Sequence, residues 1–220
     1  MHLVAIMNNR QSPAHLLKKL ERFSSALGGV FSFSDLWNVI GLQSSDRTAK
    51  VINRLIREQI LFKVQRGIYT TSEPDLWTLA SRFKEHACIS MDSVLAREGL
   101  TGSLPGKSVS LIYAGNTQTI ETAFGRIRFF KIRKELIFGT RGLPGGVTTS
   151  NREKAYLDLL YYHVRGAHFV IDPLKDVDLW KLYRSAYSSS PFIRLVKDKD
   201  TLYRYPEPKM VAGTNFADIG

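Results

Sequence analysis

A single cysteine in 220 residues, Cys88, has no partner for an intramolecular disulfide and cannot build a cysteine-rich zinc site. Its neighbours in HACISMDSVL are mostly apolar, so it reads as a buried packing residue. The five histidines, His2, His15, His86, His163 and His168, show no metal-ligand spacing, and no metal or cofactor is expected. No segment approaches the roughly 18 apolar residues of a membrane span. The opening MHLVAIMNNRQ has a short apolar run but neither the charged start nor the long apolar region of a secretory leader. The chain is therefore expected to be cytoplasmic and free of membrane. Internal repeats and low-complexity tracts are missing too. Acidic residues are scarce, with 20 Asp and Glu against 31 Lys and Arg, a net charge of +11. That balance favours an anionic partner, nucleic acid ahead of an anionic membrane. The plain alternative is a basic surface with no such partner.

With 44% hydrophobic and 23% charged residues the composition is that of a globular protein. The length suits one or two domains. In SPAHLLKKLERFSSAL, Ser12 is placed to cap a helix and Pro13 suits its first position. Leu16, Leu17, Leu20, Phe23 and Leu27 recur at helical spacing, and Gly28-Gly29 ends the run. A short helix follows, with Ser34 as cap, an apolar face of Leu36, Trp37 and Ile40, and Gly41 as stop. Ser44 or Ser45 caps a third helix running to about Glu58, whose apolar side is Val51, Ile52, Leu55 and Ile56. LFKV and IYTT flank QRG as a hairpin. Helix, short helix, helix and hairpin outline a winged helix-turn-helix over residues 1–75. This part holds 10 basic and 6 acidic residues, a net +4, so +7 of the +11 lies beyond it.

SEPDLW marks the boundary. Residues 76–220 read as a larger α+β domain: a helix over 75–98, with Leu79, Phe83, Val94 and Leu95 apolar, and a strand in KSVSLIYAG. A hairpin turning at Gly125 follows, then a strand in ELIFGT, a turn at GLPGG, and an amphipathic helix over 151–166 capped by Asn151 and stopped by Gly166. Another helix begins at Asp172-Pro173, and the tail after about residue 206 reads as loose.

The third helix carries the chemistry. Arg47, Lys50, Arg54 and Arg57 fall at i, i+3, i+7 and i+10, one face of a helix, with Asn53 at its edge. A recognition helix needs this division, one stripe holding the domain and the other entering the major groove. Arg47 and Lys50 can reach guanine O6 and N7, Asn53 can pair with adenine, and Arg54 and Arg57 reach phosphates. Ser44, Ser45 and Thr48 offer hydroxyls and N–H groups to a phosphate. In the hairpin, Lys63, Gln65 and Arg66 cluster about Gly67, as a wing along the minor groove would require. A solvated basic helix and an ordinary hairpin are the alternatives. A second candidate nucleic-acid surface is RIRFFKIRK, with Arg126, Arg128, Lys131 and Arg133; the alternative there is an edge strand guarded by charge.

No catalytic constellation is assigned. Glu153 and Asp158 are five apart, while Glu121, Glu135 and Asp92 are scattered. GLPGG lacks the Lys-Ser/Thr of a phosphate-binding loop, and Ser90 and Ser93 lack a nucleophile-elbow context.

RGIYTT, then ISMDSVLAREGL at 89–100, then SNREKAYLDLLYY at 150–162 resemble the AbiEi antitoxin family. That family has a Gly-aromatic wing strand, a Ser-Ala-Leu…Gly-Leu helix and an Ala-Ser-Pro-Glu-Lys-Ala-Leu-Leu-Asp helix. Here the second element reads Asp92-Ser93-Val94-Leu95 up to Gly99-Leu100, and the third runs from Ser150 to Asp158. The resemblance spans residues 12–185. It implies a non-enzymatic DNA-binding antitoxin that represses its own operon, as a dimer on inverted repeats of double-stranded DNA. It also implies a second domain that counters a nucleotidyltransferase toxin in abortive infection. Competing readings are a nuclease-like enzyme guided by the N-terminal domain, a lone regulator without a toxin, and a membrane or protein-interaction module.

Overall fold

The structure, a computed structural model, describes residues 12–100 and 107–163. The expected helix from Asp172, the stop at Gly166 and the tail lie outside the described residues. The chain is mixed α+β and divides into two compact units, Met1–Asp75 and Leu76–Gly220.

The first unit runs α1 (Pro13–Leu27), β1 (Val30–Ser32), α2 (Phe33–Ile40), α3 (Ser45–Arg57), β2 (Phe62–Gln65) and β3 (Ile68–Thr70). Ser12 caps α1, its side chain accepting from the His15 N–H, and Gly28 closes the helix in the left-handed conformation at φ 57°. The α1 stripe is narrower than its leucine spacing suggests: Leu16 and Leu20 are buried, whereas Leu17 and Phe23 are partly exposed. Leu17 lies about 100° around the helix from Leu16, off the buried line. The α2 cap is Ser32, not Ser34. Ser32 and Asp35 form a reciprocal capping box, which starts the helix two residues earlier. Val39 joins Leu36 and Ile40 in the core, while Trp37 remains partly exposed. Ser44 caps α3. Leu16, Leu20, Phe31, Leu36, Ile52, Leu55 and Leu61 then meet in one apolar core. The strands form an antiparallel sheet in the order β1-β3-β2; β1, which completes it, has no counterpart in the sequence reading.

The second unit begins with α4 (Leu76–Ser81), β4 (Cys88–Ile89), α5 (Asp92–Arg97), β5 (Ser108–Tyr113), β6 (Gln118–Thr122) and β7 (Gly125–Lys131). It continues with β8 (Thr140–Leu143), β9 (Val147–Ser150) and α6 (Arg152–His163). Among the described residues six strands form one sheet in the order β6-β7-β5-β4-β9-β8, mixed because β5 pairs parallel with β7 and β4 parallel with β9. The single helix expected over 75–98 is instead two short helices with β4 between them. Positive φ at His86 (60°) and Met91 (59°) breaks the helical path, and Cys88 and Ile89 are taken into the sheet. ELIFGT is not a strand: Lys134–Leu136 is a 3-10 turn and β8 starts at Thr140. GLPGG does turn the chain, through a 3-10 turn at Pro144–Gly146 into β9, a strand the sequence reading missed. α6 is not amphipathic. Every side chain from Lys154 to Tyr162 is buried.

The β6–β7 turn rests on Gly125, at φ +147°, whose N–H donates to Thr122 Oγ1 at 3.1 Å. A Cβ there would collide with the Lys107 carbonyl oxygen, a backbone atom that cannot swing away. Gly142 in β8 has open space around it and no positive φ. Gly125→Ala is expected to lower the urea unfolding midpoint of the second unit by the equivalent of about 1–3 kcal/mol, with Gly142→Ala close to neutral. Equal midpoints for the two variants would contradict the tight turn.

Candidate nucleic-acid interface

α3 separates its residues as a two-faced helix must. Thr48, Ile52 and Leu55 are buried at i, i+4 and i+7, and the opposite face exposes Arg47, Lys50, Asn53 and Arg57. Arg54 is half-buried and approaches Glu58 at 3.9 Å. Thr48 departs from the expectation that it meets a phosphate. It lies on the core stripe, fully buried, and its hydroxyl donates to the Ser44 carbonyl at 3.0 Å. The Ser44 hydroxyl accepts from the Arg47 N–H at 3.4 Å, which leaves Ser45 as the exposed hydroxyl of the three. The i, i+4, i+7 relation of Thr48 to Ile52 and Leu55 was the sequence signal for this.

In the same unit β2 and β3 close through Arg66-Gly67, with Gly67 at φ +80°. Lys63 and Arg66 are exposed and Gln65 is half-buried. The register slips between Lys63 and Gln65, a bulge that breaks the simple alternation of the strand. Exposed cations at the turn and along one face of α3 give this unit a basic surface on two neighbouring elements.

The second basic stretch is arranged differently. β7 lies between β6 and β5 and is not an edge strand. Ile127 and Phe129 are buried on one face, with Phe130 buried on the other. Arg126 meets Glu121 at 2.5 Å, Arg128 pairs with Asp92, and Arg133 meets Glu135 at 3.5 Å. The acids that seem scattered in sequence are therefore partners of these arginines, and Lys131 is exposed beyond them. Ion pairing reduces the positive charge this surface can offer to a phosphate.

A buried polar cluster in the second unit went unrecognised in the sequence. Lys154 and Asp158, one helical turn apart on α6, form an ion pair with both side chains sealed from solvent. Ser90 donates to Asp158 Oδ2 at 2.6 Å, and Ser150 donates to Ser90 Oγ at 3.0 Å. The Lys154 ammonium also sits 4.9 Å from the Phe138 ring centroid. Burial pushes the Asp158 carboxyl above the usual carboxylate range, opposed by Lys154 and the Ser90 hydrogen bond. Burial, reinforced by Asp158, pushes the Cys88 thiol up to about 12, so Cys88 is a protonated packing residue and not a nucleophile. A strand-to-helix elbow is present after β4, with Met91 at φ 59° and ψ −139°, but the strained position carries a thioether and the preceding Ser90 is inside the cluster. No group of three or more His, Cys, Asp or Glu side chains among the described residues could hold a metal ion.

No protein-family profile matches the chain. A stretch of 52 residues is 48% identical to the LysW-L-2-aminoadipate 6-phosphate reductase of Deinococcus radiodurans. It is 58% identical over 52 residues to a protein provisionally given the same name in Thermomicrobium roseum. These matches take in 24% of this chain, which spans about 15% of the length of each reductase. In three dimensions the chain is similar to the RV2827C protein of Mycobacterium tuberculosis, known from a crystal structure. The TM-score is 0.53 with 12% identity, over 91% of this chain and 80% of that one. At that identity the likeness supports the mixed α+β fold. No helix among the described residues is long and apolar enough to cross a membrane.

Removing one partner of a sealed ion pair leaves the other uncompensated, which costs about 3–5 kcal/mol, whereas replacing both by apolar groups is close to neutral. Lys154→Met is therefore expected to destabilise the second unit by about that amount, and Lys154→Met with Asp158→Leu to recover most of the loss. Denaturant melts of the three proteins test this; a double variant no better than the single one would sink it.

Proposed function

We propose that this chain is a DNA-binding transcriptional repressor that serves as the antitoxin of a toxin–antitoxin system. In this reading the first unit is a winged helix-turn-helix. α3 is the recognition helix, entering the major groove, and the β2–β3 hairpin is the wing. The observation that carries the proposal is the division of α3, with Thr48, Ile52 and Leu55 inside and Arg47, Lys50, Asn53 and Arg57 outside. Arg47 and Lys50, near the helix start, are the base-reading candidates; Arg57, Lys63 and Arg66 hold phosphates. The operator is double-stranded DNA with inverted repeats, bound by a dimer. The antitoxin role rests on the resemblance to AbiEi antitoxins. It gives the second unit a nucleotidyltransferase toxin as its functional partner and no catalysis of its own.

With an operator mapped by footprinting upstream of the gene, Arg47→Ala and Lys50→Ala are each expected to weaken binding by about 1–3 kcal/mol. Unchanged affinity in both variants would remove α3 as the reading element. Each phosphate contact contributes roughly 0.9 to the slope of log affinity against log salt. Changing Lys63 and Arg66 together to Gln should thus lower that slope by about 1–2 units and weaken operator and random DNA alike. An unaltered slope leaves the hairpin an ordinary solvated one. Turnover of labelled DNA or RNA with magnesium would instead favour an enzyme.

A further inference from the structure

The second unit contains a cleft of about 310 Å³ beside α4, α5 and β8, at the small end of ligand-sized pockets. Val94 and Leu143 contribute apolar surface and Trp77 an aromatic wall. Arg97, Glu98 and Arg141 add the charges. The Arg97 guanidinium carbon lies 4.3 Å from the centre of the Trp77 ring. Stacking engages the flat face of a guanidinium and leaves its in-plane N–H groups free to donate. Among the described residues Arg97 has no carboxylate partner and its guanidinium makes no protein hydrogen bond, so a guanidinium with unused donors lines a partly apolar cleft. Arg141 is different, because Glu98 meets it at 3.3 Å.

The charge count selects the ligand. Two arginines against one glutamate leave a single uncompensated positive charge in the cleft. A doubly charged phosphate would face Glu98 as well as Arg97, whereas one carboxylate matches the free fork bidentately. We propose that this cleft is a binding site for a small organic monocarboxylate with an apolar body, the carboxylate held by Arg97 and the body set against Trp77, Val94 and Leu143. The site belongs to the second unit alone, and the inference does not depend on the DNA reading.

The test uses the full chain labelled with 5-fluorotryptophan, with the Trp77 fluorine signal assigned by Trp77→Phe, and phenylacetate as the probe. A saturable shift of the Trp77 signal is expected, with a Kd on the order of 1 mM or tighter. Neutral phenylacetamide should bind about tenfold or more weakly, since it lacks the charge-assisted hydrogen bonds. Arg97→Met should lose binding by at least the same factor. Arg97→Lys, which keeps the charge but not the flat fork, should fall between. Arg97 is exposed, so neither variant threatens folding. The proposal is overturned if Trp77 shows no saturable response up to about 10 mM, if the amide binds as well as the acid, or if Arg97→Met binds phenylacetate unchanged.

Discussion

Two opposite charges sealed one helical turn apart constrain how α6 meets the ends of β4 and β9. The Asp158 carboxylate sits out of solvent, so its oxygens must be satisfied by protein groups. Lys154 supplies one partner from the same helix, and Ser90 supplies the other from the end of β4. Ser150, at the end of β9, then bonds Ser90. An error in the placement of α6 on the sheet would strand a charge. The network therefore selects one register among the several that a smooth apolar helix could adopt. Two of the three sequence segments compared above with AbiEi antitoxins, around Ser90 and from Ser150 to Asp158, are joined by this network. Their chemistry is that of positioning within a core, with Cys88 protonated beside them.

The first unit handles charge in the opposite way. Its core is apolar, closed by leucines from α1, α2 and α3, and its exposed cations include those on the outside of α3 and at the Arg66-Gly67 turn. Ser44, Ser32 and Ser12 are spent on capping helices, so their hydroxyls are turned to backbone N–H groups. The proposed DNA surface is consequently one of long cationic side chains and Asn53, with Ser45 the exposed small hydroxyl beside them.

Local signals with a fixed spacing were legible in the sequence. Ser12-Pro13 and Gly28 bound α1, and the basic pattern marked the outer face of α3 at Arg47, Lys50 and Arg57, with Arg54 half-buried; a Gly sits at the hairpin turn with positive φ. What failed was tertiary. A helix drawn over 75–98 ignored that Cys88-Ile89 would be claimed by neighbours far along the chain, β5 and β9. RIRFFKIRK looked like a charged edge because the acids that pair with its arginines, Asp92, Glu121 and Glu135, are scattered along the chain. The Lys154–Asp158 spacing of i, i+4 was open to view. Its burial was hidden because an amphipathic reading of this helix leaves one face to solvent, and nothing local says that α6 is buried all round.

The parallel pairing of β4 with β9 joins Ile89 to Thr149, and the Ser90–Asp158 hydrogen bond spans 68 residues. Contacts of that reach impose an order of assembly. On the ribosome the first unit has its entire core, from Leu16 to Leu61, available before any residue of α6 has been made. The centre of the second sheet must wait with its β4 edge open until β9 and α6 emerge, and long-range closure of this kind is slow. During that interval the β4 edge at Ile89, an apolar residue buried in the finished fold, has unpaired backbone beside it. The nascent second unit is thus the part of this chain most in need of protection from aggregation.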